Sequence, residues 1–508
     1  MSFYSSLPAW AALFPILGGL ALYFITHYWN RRYREPLAIV IAVSQLVMVS
    51  LMYPAIRDGH VLQAGYRLFE LPLSITFRVD GLGFFMALLA SFLWLLAIIY
   101  SPRYLAHSHA HDRYYAFLLL AQGGCVGVMV AGDLLGLFVF FEFMAISTYV
   151  LIAHEEDAYS LFAGAKYLYM TVAGGLGIFF GLVVTYFLAG SLSFGQPGGL
   201  ITQPSNLALY AFIGFLIGFG IKAGMFPLHV WLPDAHPAAP APASALLSGI
   251  MIKTGAYGLI RVFHDIYSPR VFQEVHWETI VLILASVTIL LGSALAITQD
   301  SLKRRLAYSS IAQIGYILLG IAMLNERAMV GAIYHIFTHA FMKGCLFLCA
   351  GAIIVKTGKK NISEMGGIGF KMPLTMICFT LASLSMVGIP PFNGFISKWQ
   401  LSLAALESGR EIFVALLIVS SLLNAVYYFP IIIAAFFNRK PETAEHGHAA
   451  DSAAAHGNEP VPKLSLAGEA PLGMLLPTAI LAAGCFLFAL TPVNWPLEMI
   501  KIAAAALF

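Results

Sequence analysis

The chain has 508 residues, of which 60% are hydrophobic and only 10% are charged, and its formal net charge is +3. This composition excludes a soluble globular domain, in which about 25% of residues are charged. The weak charge and the lack of a basic block with interleaved aromatic residues exclude nucleic acid as an expected partner. Stretches of roughly 20 apolar residues recur about 14 times, so the sequence predicts an all-α membrane protein with about 14 transmembrane helices.

Residues 1–113 are predicted to hold helices 1–3 and a small extramembrane hairpin. The first apolar stretch has no basic segment before it and is longer than a signal-peptide core, so we expect a retained helix. Alternating residues in YRLFELPLSITFRV predict the hairpin. Loops assigned to the cytoplasm hold about fifteen Lys or Arg and the opposite loops about seven, which predicts an N-terminus outside the membrane.

Glu142 lies in LLGLFVFFEFMAISTYVLI and is the strongest candidate for a buried carboxylate. Such a group requires a cation nearby, and Lys222 is its predicted partner. The pair is interpreted as a switch, with a static structural ion pair as the alternative. Lys166 follows the acidic loop HEED, and either a surface ion pair or a second cation near Glu142 explains it.

Lys222 and Lys253 lie in the seventh and eighth apolar stretches, joined by a loop of prolines and histidines. A lysine at the bilayer centre costs about 2.5 to 3.5 kcal/mol on insertion scales, so each indicates a carboxylate partner, a water-filled cavity or a titrating amine. His229, Asp234 and His236 follow the seventh stretch. They are interpreted either as the cytoplasmic mouth of a proton path or as groups that cap the backbone.

In the eleventh stretch, AIYHIFTHAFMKGCLFL, His335, His339 and Lys343 recur every four residues and share one helix face. This polar stripe predicts a hydrated path, although single core histidines are usually just hydrogen-bonded. Lys398, in NGFISKW, is then the last titrating group before the outer surface. The alternative interpretation is that the Lys398 side chain snorkels to the membrane interface.

Two apolar stretches end at prolines beside a lysine. The seventh ends in KAGMFPLHVWLP with Pro227, and the twelfth ends in SMVGIPPFNGFISKWQ with Pro390 and Pro391. Proline removes a backbone donor and frees carbonyls that lipid cannot satisfy, so each break should line protein or water. The similarity of the two breaks indicates a weak internal symmetry, as in transporters that are built from inverted repeats.

We expect no metal site and no cofactor in this chain. Its five cysteines form no CxxC motif, which argues against an iron–sulfur cluster. The histidines of HSHAHDR, residues 107–113, lack an accompanying carboxylate cluster, so they are interpreted as a solvated loop. Residues 438–469, rich in Ala, His, Glu and Pro, predict a flexible cytoplasmic loop before a C-terminal helix 14 within residues 470–508.

The sequence resembles the antiporter-like subunits of respiratory complex I, a family that includes the large subunits of Mrp-type sodium/proton antiporters and the membrane subunits of group 4 membrane-bound hydrogenases. The resemblance covers roughly residues 70–437 and rests on five motifs: FVFFEFMAISTYVLI, PLHVWLPDAHPAAPAPASALLSGIMIKTGAYG, LKRRLAYSSIAQIGYILLG, YHIFTHAFMKGCLFL and GIPPFNGFISKW. It implies two inverted five-helix repeats, residues 114–263 (helices 4–8) and 264–437 (helices 9–13), with helices 7 and 12 broken.

The resemblance also implies a proton path along a central axis. The positions that match the family's ionisable residues are Glu142, Lys222, Lys253, His335, His339 and Lys398. Some members carry glutamate at the last of these places. The implied function is a non-catalytic, proton-translocating subunit of a multi-subunit complex of the prokaryotic inner membrane. A redox-driven pump is the preferred interpretation.

In that interpretation, partner subunits, soluble ones among them, carry iron–sulfur or other redox centres. The alternative is a subunit of a Mrp-type antiporter that exchanges Na+ for H+ without redox chemistry. A purely structural membrane subunit and a solute carrier are disfavoured, because the ionisable residues fall in line and no roomy polar site is indicated.

Overall fold

The structure, a computed structural model, describes residues 2–66, 75–196, 198–437, 466–490 and 494–508. Within these ranges, 12 helices are long and apolar enough to cross a membrane, and two shorter apolar helices, Pro373–Val387 and Leu472–Leu487, accompany them. The prediction of an all-α, multi-pass membrane protein is therefore confirmed. The predicted loop at 438–469 lies mostly outside the described residues.

The described residues form 21 α-helices in order. The helices up to the first break are α1 (Ser2–Tyr28), α2 (Arg34–Ser50), α3 (Tyr53–Arg57), α4 (Gly81–Tyr104), α5 (His111–Val130), α6 (Leu134–Ile152), α7 (Ala158–Ala189) and α8 (Asn206–Ala223). Those up to the second break are α9 (Leu232–Ala238), α10 (Ala241–Leu246), α11 (Lys253–Arg261), α12 (Pro269–Val275), α13 (Glu278–Ile297), α14 (Leu302–Ala322), α15 (Glu326–Thr357), α16 (Ile368–Lys371) and α17 (Pro373–Val387). The remaining helices are α18 (Asn393–Glu407), α19 (Ile412–Phe436), α20 (Leu472–Leu487) and α21 (Trp495–Ala505).

The predicted hairpin is present. Strands β1 (Leu62–Tyr66) and β2 (Ile75–Val79) pair antiparallel, with Leu62 opposite Val79. The backbone N–H of Thr76 donates to Asp133 at 2.6 Å, which fixes the hairpin on the turn between α5 and α6. The hairpin therefore covers one end of the helix bundle.

Close packing of α7 against α8 depends on facing glycines. A Cβ on Gly177 would lie 2.8 Å from the carbonyl oxygen of Gly214, and a Cβ on Gly218 would lie 2.5 Å from that of Gly174. Small residues at such contacts let two membrane helices approach closely. The contact matters for the site because α8 carries Lys222.

Both predicted helix breaks are present and have the same local geometry. Helix α8 ends at Gly224 with φ +78°, and α17 ends at Gly388 with φ +87°. Each glycine N–H donates to two carbonyls of the helix that it ends, in the capping arrangement that favours glycine. Pro227 and Pro391 follow, each in a cis peptide bond. The inverted relation between the two repeats stays a prediction.

Two features of the fold were not predicted. The eighth apolar stretch contains two π-helical turns, Leu247–Met251 and Val262–Ile266, on either side of α11. The C-terminal region contains a second helix, α21, after α20. With 11 residues, α21 is too short to cross a bilayer. Helix α15, by contrast, is buried along most of its 32 residues and forms the centre of the bundle.

Candidate functional site

Glu142, on α6, faces α7 at a position where that helix has no side chain. A Cβ on Gly175 would lie 2.5 Å from Glu142 Oε1, so glycine makes room for the carboxylate. Oε1 has no hydrogen-bond partner among the described residues, and the side chain is half-buried. This oxygen is therefore a buried acceptor that is left without a donor among the described residues.

Lys222, at the end of α8, is 1% exposed. Its Nζ donates to Tyr167 Oη at 2.8 Å and lies 5.2 and 5.8 Å from the ring centres of Tyr167 and Phe141. Aromatic faces attract a cation by about 2 kcal/mol when it is removed from water. Lys222 forms no salt bridge with Glu142 among the described residues, so the structure does not contain the predicted ion pair.

Lys253, the first residue of α11, is fully buried. Its Nζ donates to the Ser248 carbonyl oxygen in the preceding π-helical turn. A π-helical turn changes the i→i−4 pairing, and such turns occur frequently at functional sites. Ser248 Oγ in turn lies 2.7 Å from Ser310 Oγ on α14. Lys253 is therefore linked through Ser248 to Ser310, which belongs to the second predicted repeat.

His335 and His339 lie on the buried face of α15, as the spacing predicted. Their rings stack with centres 5.9 Å apart. His335 Nδ1 lies 2.9 Å from Ser397 Oγ, and Nε2 lies 3.0 Å from Gln313 Oε1. Both ring nitrogens of His339 are buried without a partner in the described part of the chain. A buried polar group of this kind normally bonds to an ordered water molecule.

Lys398, on α18, does not snorkel to the membrane surface, because it is 7% exposed. Its Nζ donates at 2.9 Å to the Met386 and Val387 carbonyls, and at 3.0 Å to Ser421 Oγ. The two carbonyls end α17, where the helix dipole favours a positive charge. The Tyr316 ring lies 5.3 Å from Lys398 Nζ and 5.2 Å from the His335 ring, and so it joins them.

Lys343 and His236 form a second buried group. Lys343 Nζ donates to the Leu306 carbonyl at 2.8 Å, to Tyr428 Oη at 3.2 Å and to Ser309 Oγ. The His236 ring stacks on Phe347 with centres 4.6 Å apart. Neither of its nitrogens has a partner among the described residues, so it does not cap the backbone as one interpretation predicted.

Lys166 pairs with Asp234, and not with Glu142. Lys166 Nζ lies 2.8 Å from Asp234 Oδ2, and Arg304 Nη2 lies 3.3 Å from Asp234 Oδ1. Asp234, on α9, therefore connects α7 to α14 through two salt bridges. His229 stacks on Phe226 at 5.8 Å, and its Nδ1 has no partner in the described ranges.

A cavity of about 620 Å³ opens beside His236. Its wall includes residues 237–239, Glu155, Asp157 and Lys303. Lys303 Nζ donates at 2.8 Å to the carbonyl of Ala239, which follows His236 closely along the chain. The cavity places water-accessible carboxylates and an amine next to the buried group of Lys343 and His236.

Several polar residues of the site were missed by sequence reasoning. They are Tyr167, Ser248, Ser310, Gln313, Tyr316, Ser397, Ser421 and Tyr428. None of them carries a charge, and Ser, Tyr and Gln are common in membrane helices. No charge or motif marks them in the sequence, and most of them contact a lysine or histidine of another helix.

Two family models match this chain. The family described as NADH:quinone oxidoreductase/Mrp antiporter, TM, matches residues 131–424. The family described as NADH-Ubiquinone oxidoreductase (complex I), chain 5 N-terminus, matches residues 67–115.

Two curated relatives and one solved structure are similar over most of their length. NADH-quinone oxidoreductase subunit N of Desulforudis audaxviator is 38% identical over 81% of this chain and 81% of its own. A Na(+)/H(+) antiporter subunit of Alkalihalophilus pseudofirmus is 31% identical over 85% of this chain and 87% of its own. A chain of the Mrp complex from Dietzia sp. DQ12-45-1b has the same fold, with a TM-score of 0.86 and 24% identity over 100% of this chain and 98% of that one.

Proposed function

This chain belongs to the membrane-subunit family shared by NADH:quinone oxidoreductases and Mrp antiporters, and from that premise we propose that it translocates protons within a multi-subunit complex of the prokaryotic inner membrane. Its N-terminus lies outside, in accordance with the excess of Lys and Arg in the loops assigned to the cytoplasm. The chain holds no cofactor of its own, and the driving reaction takes place on partner subunits.

One observation carries this proposal. Four lysines, Lys222, Lys253, Lys343 and Lys398, are between 0% and 7% exposed, and none forms a salt bridge within the described part of the chain. Each ammonium group instead meets hydroxyl or carbonyl oxygens. An amine that bonds only to neutral acceptors can lose its proton without leaving an unpaired buried carboxylate.

The proposed path runs along the interior of the second half of the chain. Lys253 receives a proton, His339 and His335 relay it, and Lys398 releases it towards the outer side. Imidazole suits the relay because its ordinary pKa lies near neutrality. Ser397 and Gln313 orient the His335 ring, since each bonds one of its nitrogens. Water is required between Lys253 and His339, whose nitrogens have no partner among the described residues.

Glu142 and Lys222 control the path in this scheme. When Lys222 leaves Tyr167 and approaches Glu142, the carboxylate stabilises its charge. When the two separate, that stabilisation is lost. A change at this pair alters the electrostatic potential at Lys253, the next lysine along the chain.

We assign the driving force to redox chemistry on partner subunits, in line with the 38% identity to a NADH-quinone oxidoreductase subunit. The second candidate is Na+/H+ exchange without redox chemistry, which the 31% identity to an antiporter subunit favours. Purification of the tagged chain from native membranes in mild detergent, with mass spectrometry and iron analysis, separates the two. Soluble iron–sulfur partners support the pump, whereas membrane partners alone and no iron support the antiporter.

Proton translocation itself is tested with Lys222→Ala and Lys253→Met in the assembled complex, reconstituted in vesicles with a pH-sensitive dye. We expect both variants to abolish translocation while assembly is retained. Lys356→Met is the matched control, because that lysine is an exposed residue near the end of α15. Full translocation by either site variant would overturn the scheme.

A further inference from the structure

A polar cavity of about 390 Å³ lies far from the lysine path, where two spans begin and a third ends. It is lined by Arg31, Arg34, Ser108, His109, His111 and Asp112, among others. The first candidate span ends at Tyr28, the second starts at Arg31, and the fourth starts at His111. The cavity therefore lies at the membrane boundary, at the level of lipid headgroups.

The two arginines of this cavity share one carboxylate. Arg34 Nη1 lies 3.1 Å from Asp112 Oδ1, whereas Arg31 Nε lies 4.0 Å from Asp112 Oδ2. Arg34 Nη2 also lies 3.0 Å from His111 Nδ1 and 3.8 Å from Glu35 Oε1, a carboxylate outside the cavity wall. The Arg31 side chain is 78% exposed, and Arg34 Nε has no partner in the described ranges. The exposed Arg31 therefore has donor groups left over for an anion.

The surroundings of the cavity indicate what kind of anion this is. Tyr28, Trp29 and Tyr33 are 76%, 87% and 47% exposed on the connection between α1 and α2. Exposed tyrosine and tryptophan at the end of a span are typical of the headgroup region of a bilayer. Farther along α2, exposed Val40 and Val43 present an apolar surface that continues from the cavity into the membrane.

We propose that this cavity binds the phosphate of an acidic phospholipid. Arg31 and Arg34 donate to the phosphate oxygens, since the guanidinium fork matches phosphate geometry. His109 adds a further donor at the wall, and the acyl chains lie along α2 beside Val40. A basic pocket at the end of membrane helices is a known setting for acidic headgroups. The bound lipid joins the connection between α1 and α2 to the loop that precedes α5.

Native mass spectrometry of the delipidated complex tests the proposal. Phosphatidylglycerol and phosphatidylcholine with the same acyl chains are titrated separately, and inorganic phosphate is added as a competitor. We expect selective binding of phosphatidylglycerol, and Arg31→Gln weakens it about fivefold, in line with the contribution of one arginine near a headgroup. Arg31→Gln is the decisive variant because its exposed side chain contributes little to folding.

Arg32→Gln is the matched control, since it removes the same charge one residue away. Its guanidinium donates to Tyr33 Oη at 2.9 Å and does not line the cavity, so phosphatidylglycerol binding should be unchanged. Equal losses in Arg31→Gln and Arg32→Gln would show a diffuse charge effect and overturn the site. Equal binding of the two lipids, or displacement of the lipid by inorganic phosphate at comparable concentration, would also overturn it.

Discussion

The hydroxyl of Tyr167 is the hydrogen-bond acceptor of Lys222. Lys222 Nζ donates to Tyr167 Oη at 2.8 Å, and the Tyr167 ring packs edge-on against Trp231 at 4.9 Å. Trp231 Nε1 itself donates to the Ile221 carbonyl at 2.7 Å, at the end of α8. The position of the amine is thus fixed by neutral partners.

We expect Tyr167→Phe to slow proton translocation about tenfold without loss of assembly. The substitution keeps the ring but removes the acceptor of Lys222, and a hydrogen bond to a charged group contributes about 1.5 to 3 kcal/mol. The measurement is the initial rate of vesicle acidification. Tyr169→Phe is the control, because that ring is 75% exposed on the same helix. Unchanged rates in Tyr167→Phe would remove this hydroxyl from the mechanism.

His154 gives the chain a stability that depends on pH. It is 1% exposed, in the connection between α6 and α7. Burial, followed by the positive charge of Arg113 and the nearby His109 and His111, lowers the pKa of His154 to about 4, while Glu156 opposes the shift. The folded protein therefore prefers neutral imidazole, and stability is lost as the pH falls from about 6.5 towards about 4.

We expect the solubilised complex to lose on the order of 3 kcal/mol through His154 over that range, since each pKa unit corresponds to about 1.36 kcal/mol. His154→Phe should flatten the dependence of the melting temperature on pH. His60→Phe, at an exposed histidine, should leave it unchanged. An equally steep loss in His154→Phe would assign the acid sensitivity to other groups.

The charged members of the candidate site could be predicted from the sequence, whereas their neutral partners could not. Glu142, Lys222 and Lys253 stand out because a charge in an apolar stretch is costly and rare. Gln313 lies 22 residues from His335 along the chain, and its hydrogen bond depends on how α14 packs against α15. That packing is a tertiary property, and no local pattern contains it.

At the scale of helices, the α7–α8 contact positions Lys222. A Cβ on Gly218 would overlap Ile178 Cγ1 and lie 2.5 Å from the Gly174 carbonyl oxygen, so it cannot be accommodated without moving one helix. Because the Gly174 carbonyl is a backbone group, it cannot move aside as a flexible side chain could. Because Gly218 is four residues before Lys222 on α8, a displacement here is passed directly to the amine.

We expect Gly218→Ala to destabilise the chain by about 1 to 3 kcal/mol, the usual cost of overpacking, and to reduce translocation. The measurements are the melting temperature of the solubilised complex and the rate of vesicle acidification. Gly249→Ala is the matched control, because a Cβ there meets its nearest atom at 3.5 Å, an ordinary contact. Similar losses in both variants would show a general intolerance of alanine in buried helices.

The helix breaks could be located from the sequence because proline marks them, but the groups that satisfy the freed carbonyls could not. At the first break, Trp231 bonds the Ile221 carbonyl. At the second, Lys398 bonds the Met386 and Val387 carbonyls. The π-helical turns around α11 were missed for a related reason, since a π-helical turn has no characteristic composition.

At the scale of the whole chain, Arg261 ties the N-terminal helices to the first half of the bundle. Its Nη1 and Nη2 donate to Asp80 at 2.8 and 2.9 Å, and Nη1 also lies 3.1 Å from Asp265 Oδ2. Asp80 caps α4, and Asp265 accepts the N–H of Gly195 at 2.7 Å. This connection could not be predicted from the sequence, because Arg261 and Asp80 lie 181 residues apart.

Asp80 is ionised in the folded chain under all ordinary conditions. Burial alone would raise its pKa, but Arg261 and the Gly83 N–H outweigh burial and lower the pKa to about 2. Asp80 therefore contributes stability that is present above the unfolded pKa of about 4 and is lost as the pH falls towards about 2. At the pH of a cell the ion pair is complete, and removal of Asp80 leaves the buried Arg261 with Asp265 as its remaining carboxylate partner.

We expect Asp80→Asn to lower the stability of the chain by about 3 kcal/mol, the lower end of the usual cost of breaking a buried ion pair from one side, because Arg261 keeps Asp265 as a partner. Asparagine keeps the shape and can still cap α4, so the loss measures the charge. Asp58→Asn is the control, because Asp58 pairs with Arg57 at an exposed site, with side chains 56% and 60% exposed, and such pairs contribute about 0 to 1 kcal/mol. The melting temperatures of the two solubilised variants are compared with wild type. If Asp80→Asn and Asp58→Asn have the same melting temperature, the N-terminal helices are held by hydrogen bonds that asparagine can also form. If Asp80→Asn melts far below Asp58→Asn, the buried charge of Asp80 joins the N-terminal helices to the lysine-bearing bundle.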